Sequence, residues 1–307
     1  MNETRIGAGT VALSLLIAAI WGFNFVVIKV GVSSVPPLAL ACLRFLFSAV
    51  PAVFFVKRPK APLGKIAAYG LFLGVGEFGF LFTAIKLGAP AGLSSILLQA
   101  QAFLTAILAA IFLGERLRAH NFVGMAVAAL GLAIFAFGAG TGSGGLSPLL
   151  VAMIVVAALG WAAANVVVRT MPGTDALGLM VWSSLFSPLP LAALSLAFEG
   201  PSRIGAAFAE LSLLTLGALV YLVLLSTLAG YGLWNTLIMR HGAGKIAPFS
   251  LLVPIFGLLA ASLVLHEALH VLDAAAAALI LAGLLVHVLG GRLGRLGGSK
   301  ERGARSA

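Results

Sequence analysis

The chain has 307 residues, of which 61% are hydrophobic and 9% are charged, and its mean hydropathy is +1.14. A soluble domain carries about a quarter charged residues, so this composition excludes a soluble globular fold and makes lipid the natural solvent. The formal net charge of +10 would suggest a nucleic-acid partner for a soluble protein. Here the basic residues stand in short connectors between apolar runs, which indicates membrane orientation and no nucleic acid.

Ten apolar runs follow one another along the chain, each near the ~20 residues that a helix needs to cross a bilayer. The predicted transmembrane helices cover residues 11–31, 37–56, 66–86, 92–113, 120–138, 148–168, 176–198, 211–238, 246–265 and 271–290. Strands of a membrane barrel would be about half as long and would alternate apolar with polar residues. The sequence therefore predicts an all-α membrane protein with ten transmembrane helices.

The lysines and arginines predict the orientation of these helices. With a cytoplasmic N terminus, 15 of the 19 basic residues fall on the cytoplasmic side, and only Lys29, Lys86 and Arg203 fall outside. Cytoplasmic loops are enriched in such residues, so both termini are predicted to be cytoplasmic. The basic tail, residues 292–307, is then predicted to be a cytoplasmic anchor, and the alternative is a segment that touches anionic membrane lipid.

The last five runs repeat the pattern of the first five. Trp21–Lys29 (WGFNFVVIK) parallels Trp161–Arg169 (WAAANVVVR). Because five crossings are an odd number, the second unit enters the membrane from the opposite face, which predicts inverted repeats and alternating access around a site near the midplane. The predicted units are residues 11–138 and 148–291, and residues 139–147 are the linker between them.

Residues 266–270 read His-Glu-Ala-Leu-His, a spacing at which two imidazoles on one helix face bind zinc. The repeat favours another interpretation, because Glu115 ends the fourth run as Glu267 ends the ninth, and the first copy has no histidines. We interpret Glu267 as a helix-terminus residue that binds backbone amides or a neighbouring helix. Cys42 is the only cysteine and supplies no metal cluster. We therefore expect that the protein holds no metal and no cofactor. We also expect that it is not an enzyme, with an intramembrane enzyme as a remote alternative.

Polar side chains at membrane depth indicate the functional site. Arg44 lies in the middle of the second run and Glu77 in the middle of the third, where an ionised group costs at least ~2.5–3.5 kcal/mol. The two residues either form a structural ion pair or take part in binding a substrate or proton. The other predicted site residues are the amides Asn24, Gln99, Gln101 and Asn165 and the aromatic residues Trp161 and Trp234.

Each of these polar and aromatic residues also has a structural interpretation. Lone amides within membrane spans often form hydrogen bonds between helices. Tryptophan and tyrosine near the ends of spans form belts at the membrane interface, and this is one interpretation of Trp21, Trp182 and Tyr231, which the sequence does not place firmly. Trp161 and Trp234 lie deep enough in their runs to be walls of a pocket.

Several segments resemble a known family. The opening WGFNFVVIKVG and the runs GLSSILLQAQAFLTAILAAIFLGERL and APFSLLVPIFGLLAASLVLHEAL resemble EamA-type members of the drug/metabolite transporter superfamily, and the likeness covers nearly the whole chain. The resemblance implies ten helices in two inverted EamA repeats that export small amino acids or related metabolites across the bacterial inner membrane. Within that family the chain resembles the O-acetylserine/cysteine exporter branch, although Glu77 stands where that branch is expected to have a neutral residue.

The function expected from these observations is secondary transport of a small zwitterionic metabolite. Arg44 would bind the carboxylate, and Glu77 would bind the ammonium group or accept a proton. The alternatives are an efflux carrier for other hydrophobic or drug-like metabolites and a channel. A larger, mostly apolar cavity without paired charges would favour the carrier for hydrophobic compounds.

Overall fold

A computed structural model describes residues 7–137, 146–268 and 270–304, and the regular structure in these ranges is helical throughout. The helices, in chain order, are α1 (Ala8–Ser34), α2 (Pro37–Phe54), α3 (Leu63–Lys86), α4 (Ala91–Leu113), α5 (Ala119–Phe137), α6 (Pro148–Arg169), α7 (Ala176–Ser183 and Pro188–Phe198), α8 (Pro201–Ala209), α9 (Leu213–His241), α10 (Pro248–Leu265) and α11 (Val271–Ala304). Helices therefore occur at all ten predicted positions. Two short helices are additional: α8 lies between α7 and α9, and Ala243–Ile246 lies between α9 and α10.

Eight of the described helices are long and apolar enough to cross a membrane. The two parts of α7 meet at an angle of 41°. If they are counted as one span, they form a ninth such segment. The break lies before Pro188, whose ring lacks an N–H and clashes with the carbonyl one turn earlier in a continuous helix. The described apolar part of α5, Ala119–Phe135, is shorter than the other spans. The number of ten spans and the cytoplasmic position of both termini thus remain predictions.

Helix ends follow local sequence signals. Proline is the first residue of α2 and of α6. The N–H groups of a first turn have no partner within the helix, so the missing N–H of proline costs no hydrogen bond there. Asp175 opens α7 by accepting a hydrogen bond from the backbone N–H of Gly178. The ends of α4 and α10 are alike, because Gly114 and His266 both adopt the left-handed conformation, with φ of 69° and 53°.

Helices from the two halves of the chain pack against one another. The contacting pairs include α1 with α10, α4 with α6, α3 with α6, α1 with α9, α2 with α7, and α5 with α11. Glycines make two of these contacts close: a Cβ on Gly22 would lie 2.5 Å from Cβ of Phe256, and one on Gly160 would lie 2.6 Å from the backbone of Gly76. Small residues at such crossings let helix backbones approach in a membrane, where the hydrophobic effect does not drive helices together.

Two helices are irregular in their middle. α3 is π-helical over Phe72–Gly79, and α9 is π-helical over Tyr221–Ala229. Such segments are rare and occur frequently at functional sites, because they shift side chains around the helix and free backbone carbonyls. These are the third helix and the corresponding helix of the second half.

Two predicted segments lie outside the repeats, one between them and one after the second. Most of the predicted linker, residues 139–147, lies outside the described part of the chain, apart from the two residues before α6. The predicted tail, residues 292–307, continues α11 as a helix as far as Ala304.

Candidate functional site

A cavity of about 300 Å³ lies between α1, α2, α3, α4, α6, α9 and α10, and its lining comes from both halves of the chain. All eight predicted site residues line it: Asn24, Arg44, Glu77, Gln99, Gln101, Trp161, Asn165 and Trp234. The volume lies at the lower end of the range of small-molecule sites, about 300–1,000 Å³. The space therefore suits a small polar metabolite better than a bulky compound.

Arg44 is held in α2 with only 1% of its surface exposed. Its Nη2 donates to Oγ1 of Thr227 at 3.1 Å and to Oγ of Ser226 at 3.5 Å. The guanidinium carbon lies 3.9 Å from the ring centroid of Phe78, so the flat cation stacks on an aromatic face. Nε and Nη1 have no hydrogen-bond partner among the described residues, which leaves buried donors available to a ligand.

Glu77 lies in the π-helical segment of α3 and is 4% exposed. Its Oε2 is buried and has no hydrogen-bond partner in the described part of the protein. The salt bridge found in the described residues joins Arg169 to Glu115, and none within 4.0 Å joins Glu77 to Arg44. The cavity therefore contains both charges but does not pair them, which argues against a structural ion pair that locks α2 to α3.

The four predicted amides divide into two kinds. Nδ2 of Asn165 donates to Oε1 of Gln101 at 3.0 Å, so these two residues join α6 to α4, as the structural interpretation of lone amides expects. Asn24 and Gln99 are each 7% exposed, and Oδ1 of Asn24 has no partner among the described residues. Oδ1 of Asn24 is thus a buried acceptor whose hydrogen bond is not made by the described residues.

An aromatic wall closes one side of the cavity. The ring of Trp21 lies 5.5 Å from that of Tyr231 and 5.2 Å from that of Trp234, and its Nε1 donates to the carbonyl of Ser226 at 2.9 Å. Trp21 and Tyr231, which were not among the predicted site residues, line the cavity beside Trp161 and Trp234. Their spacing in the sequence could have predicted this position. Trp21 precedes Asn24 by three residues and Tyr231 precedes Trp234 by three, which places each pair on one helix face.

Other lining residues gave no such signal in the sequence. Tyr69, Phe78, Ser95, Ser226 and Ser250 also line the cavity. Serine and aromatic residues are common throughout the apolar runs, so these five are not distinguishable from packing residues until the helices are assembled.

The described residues of the His-Glu-Ala-Leu-His motif, which are all but Leu269, are not among those that line this cavity. Oε1 of Glu267 accepts from the backbone N–H of Ala91 at 2.8 Å, and Oε2 accepts from that of Gly92 at 3.0 Å, so the carboxylate caps the start of α4. The interpretation of Glu267 as a residue that binds backbone amides is confirmed. In the described ranges no group of three histidine, cysteine or acidic side chains is arranged to hold a metal.

Comparison with known proteins gives a consistent result. The sequence profile of the EamA-like transporter family matches residues 9–137 and again residues 148–289. A protein of Salmonella typhimurium named a probable amino-acid metabolite efflux pump is 42% identical over 288 residues, which are 92% of this chain and 96% of that protein. The protein of the same name in Escherichia coli is 41% identical over 284 residues, 91% of this chain and 94% of its own. A solved crystal structure matches with a TM-score of 0.55 at 20% identity, covering 90% of this chain and 96% of that one, which shows a shared fold.

Proposed function

This chain belongs to the EamA-like transporter family and is a multi-pass protein of the inner membrane, and we propose that it exports small zwitterionic amino-acid metabolites. The relatives that share 41–42% identity with it carry the name of amino-acid metabolite efflux pumps, which supports this class of substrate. The observation that carries the proposal is a small cavity with a buried Arg44 and a buried Glu77 that do not pair with each other.

A zwitterion satisfies both charges at once. The carboxylate accepts from the N–H groups of Arg44 that have no partner among the described residues, and the ammonium group donates to Glu77. Buried polar groups without partners are costly, so a ligand that completes both sets of bonds is favoured over one that completes neither. O-acetylserine and cysteine are the leading substrates, since each has this charge pair and a short side chain. A carrier for bulkier hydrophobic compounds would need a larger cavity with fewer buried charges.

Neutral groups of the cavity complete the proposed site. Asn24 and Gln99 offer hydrogen bonds to polar atoms of the substrate, and the pair of Gln101 and Asn165 forms a polar wall that the two amides hold in place. Trp161 and Trp234 bound the space available to the substrate side chain.

Glu77 is the proposed site of proton coupling. A buried carboxylate in a membrane span binds either a cation or a proton, because the bare charge is strongly disfavoured there. Substrate and proton would then occupy Glu77 in turn, and export of one amino acid would be exchanged for the entry of one proton.

Alternating access between two inverted five-helix repeats is the proposed transport mechanism. In the two repeats α1 corresponds to α6, α3 to α9 and α4 to α10. The contact of α1 with α10 in one repeat order therefore corresponds to that of α6 with α4, and the contact of α3 with α6 corresponds to that of α9 with α1. All four contacts occur. The π-helical segments of α3 and α9 are likewise counterparts. These correspondences support a pseudo-twofold arrangement around the cavity. The distribution of lysine and arginine supports a cytoplasmic position of both termini.

Counterflow in proteoliposomes tests the proposal. Vesicles preloaded with unlabelled O-acetylserine or cysteine are diluted into labelled amino acid at two pH values, and accumulation of label inside is expected. An imposed pH gradient then tests whether protons drive the transport. If folded protein accumulates no label, export of these two amino acids is rejected, and electrical currents or uncoupled flux would indicate a channel instead.

A further inference from the structure

The guanidinium of Arg44 donates a hydrogen bond to a residue that is not among those lining the cavity. Thr227 is completely buried, and its Oγ1 lies 3.1 Å from Nη2 of Arg44. We propose that Thr227 is a positioning residue for the substrate carboxylate, because it sets the orientation in which Arg44 presents its remaining N–H groups to the cavity. This inference rests on the proposed function, in which Arg44 binds that carboxylate.

The direction of the Thr227 hydroxyl follows from its two neighbours. Oγ1 lies 2.8 Å from the carbonyl oxygen of Leu222, which accepts only, so the single hydroxyl proton is donated there. Nη2 of Arg44 donates only, so the same oxygen accepts from it through a lone pair. Neither bond can reverse, and together they fix both the hydroxyl and the nitrogen that it holds.

The irregular backbone of α9 creates this arrangement. Leu222 precedes Thr227 by five residues, which is the hydrogen-bond spacing of the π-helical segment Tyr221–Ala229. In the same segment the carbonyl of Ser226 accepts from Nε1 of Trp21 at 2.9 Å. One short stretch of α9 therefore aligns both the cation and the aromatic wall of the cavity.

Arg44 is consequently restrained in two directions. Phe78 covers one face of the guanidinium at 3.9 Å, and Thr227 holds Nη2 in its plane. Oγ of Ser226 is more distant, at 3.5 Å, and contributes a weaker bond. The N–H groups on Nε and Nη1 have no partner in the described protein and are the donors available to a carboxylate.

The test compares a ligand with and without a carboxylate. Titrations of L-cysteine and L-cysteinamide under reducing conditions use the quenching of tryptophan fluorescence, since Trp21, Trp161 and Trp234 line the cavity. The wild-type protein should bind cysteine at least about tenfold more tightly than cysteinamide. Thr227→Val should remove most of that preference by weakening cysteine binding about tenfold while changing cysteinamide binding about twofold or less. Thr227→Ser, which keeps the hydroxyl, should retain the preference, and Ser226→Ala should reduce it by about twofold.

The outcomes separate this inference from the function on which it rests. A Thr227→Val protein that binds cysteine over cysteinamide as selectively as wild type overturns the role of Thr227 and leaves the proposed function intact. Equal weakening of both ligands in Thr227→Val and Thr227→Ser also overturns it, because the effect is then one of general packing. If wild-type protein shows neither binding nor counterflow, the proposed function itself fails and this inference falls with it. Thr227→Ala replaces Thr227→Val in the same comparison if the valine variant does not fold.

Discussion

The carboxylates of Glu267 and Glu199 have surroundings opposite to those of the buried carboxylate of Glu77. Both oxygens of Glu267 accept backbone N–H groups at the start of α4, and both oxygens of Glu199 do the same at the start of α2, at 2.7 and 3.1 Å. Glu77 lies in the cavity, and its Oε2 has no hydrogen-bond partner within the described residues. A carboxylate at a helix N terminus is stabilised by the amides and by the helix dipole. A buried carboxylate without such partners is instead available to a cation or a proton, so hydrogen bonding separates the two capping acids from the acid that we propose for the transport site.

The strongest test of the cavity side of this comparison is Arg44→Ala. The change removes the cation that lines the same cavity as Glu77. We expect it to reduce counterflow about 100-fold, since truncating one member of a buried charged interaction costs about 2–5 kcal/mol. Counterflow at equal amounts of reconstituted protein measures the effect. Arg44→Lys is the matched control: it keeps the charge but loses the planar fork, so an intermediate rate is expected.

Glu77→Gln tests the proton and should have the next largest effect. Glutamine keeps the shape of the side chain but binds no proton, so transport driven by a pH gradient should fall about tenfold or more. Exchange at equal pH on both sides should fall less, because the amide oxygen still accepts a hydrogen bond from the substrate. Transport that remains unchanged in both Arg44→Ala and Glu77→Gln would show that this pair is not the substrate site.

Glu267→Ala tests the structural side of the comparison. Loss of the cap on α4 should lower the free energy of unfolding by about 1–2 kcal/mol while the KM for counterflow stays near the wild-type value. Thermal unfolding of the purified protein in detergent measures the first effect, and transport kinetics measure the second. Glu199→Ala serves as the control, because it removes the equivalent cap on α2. A raised KM with unchanged stability would contradict the structural role of Glu267.

The smallest expected effect extends the comparison to the amides. Asn165 is bonded to Gln101, so Asn165→Ala should lower stability by about 0.6 kcal/mol, the mean value for hydrogen bonds between membrane helices. Oδ1 of Asn24 has no such partner, so Asn24→Ala should instead raise the KM about threefold with little change in unfolding temperature. The two variants measured side by side sharpen the distinction, and an exchange of their phenotypes would refute it.

Much of the site was accessible from the sequence because lipid penalises polar groups. An arginine, a glutamate and four amides within apolar runs are costly unless they meet a partner or a cavity, and all six of these predicted residues line the cavity. Trp161 and Trp234, which were predicted from their depth in the runs, line it as well. The comparison of Glu267 with Glu115 likewise identified a helix-terminus role. The rule fails for Trp21 and Tyr231, since tryptophan and tyrosine are equally common at membrane interfaces and in pockets. The repeat does not carry over in detail either: Glu115 binds Arg169 at 2.7 Å, whereas Glu267 binds backbone amides.

The sequence by itself determined the solvent of this protein, the positions of its helices and the polar residues that they carry, because hydropathy and helix length are properties of contiguous segments. Only the tertiary structure decided that Arg44 and Glu77 share a cavity without forming an ion pair, and that Arg44 bonds instead to Thr227, 183 residues further along the chain. The bend in α7 and the π-helical segments of α3 and α9 also became visible only there. The physical reason is that the rotation of each helix about its axis depends on its packed neighbours, and that rotation sets which polar atoms meet and which stay free for a ligand.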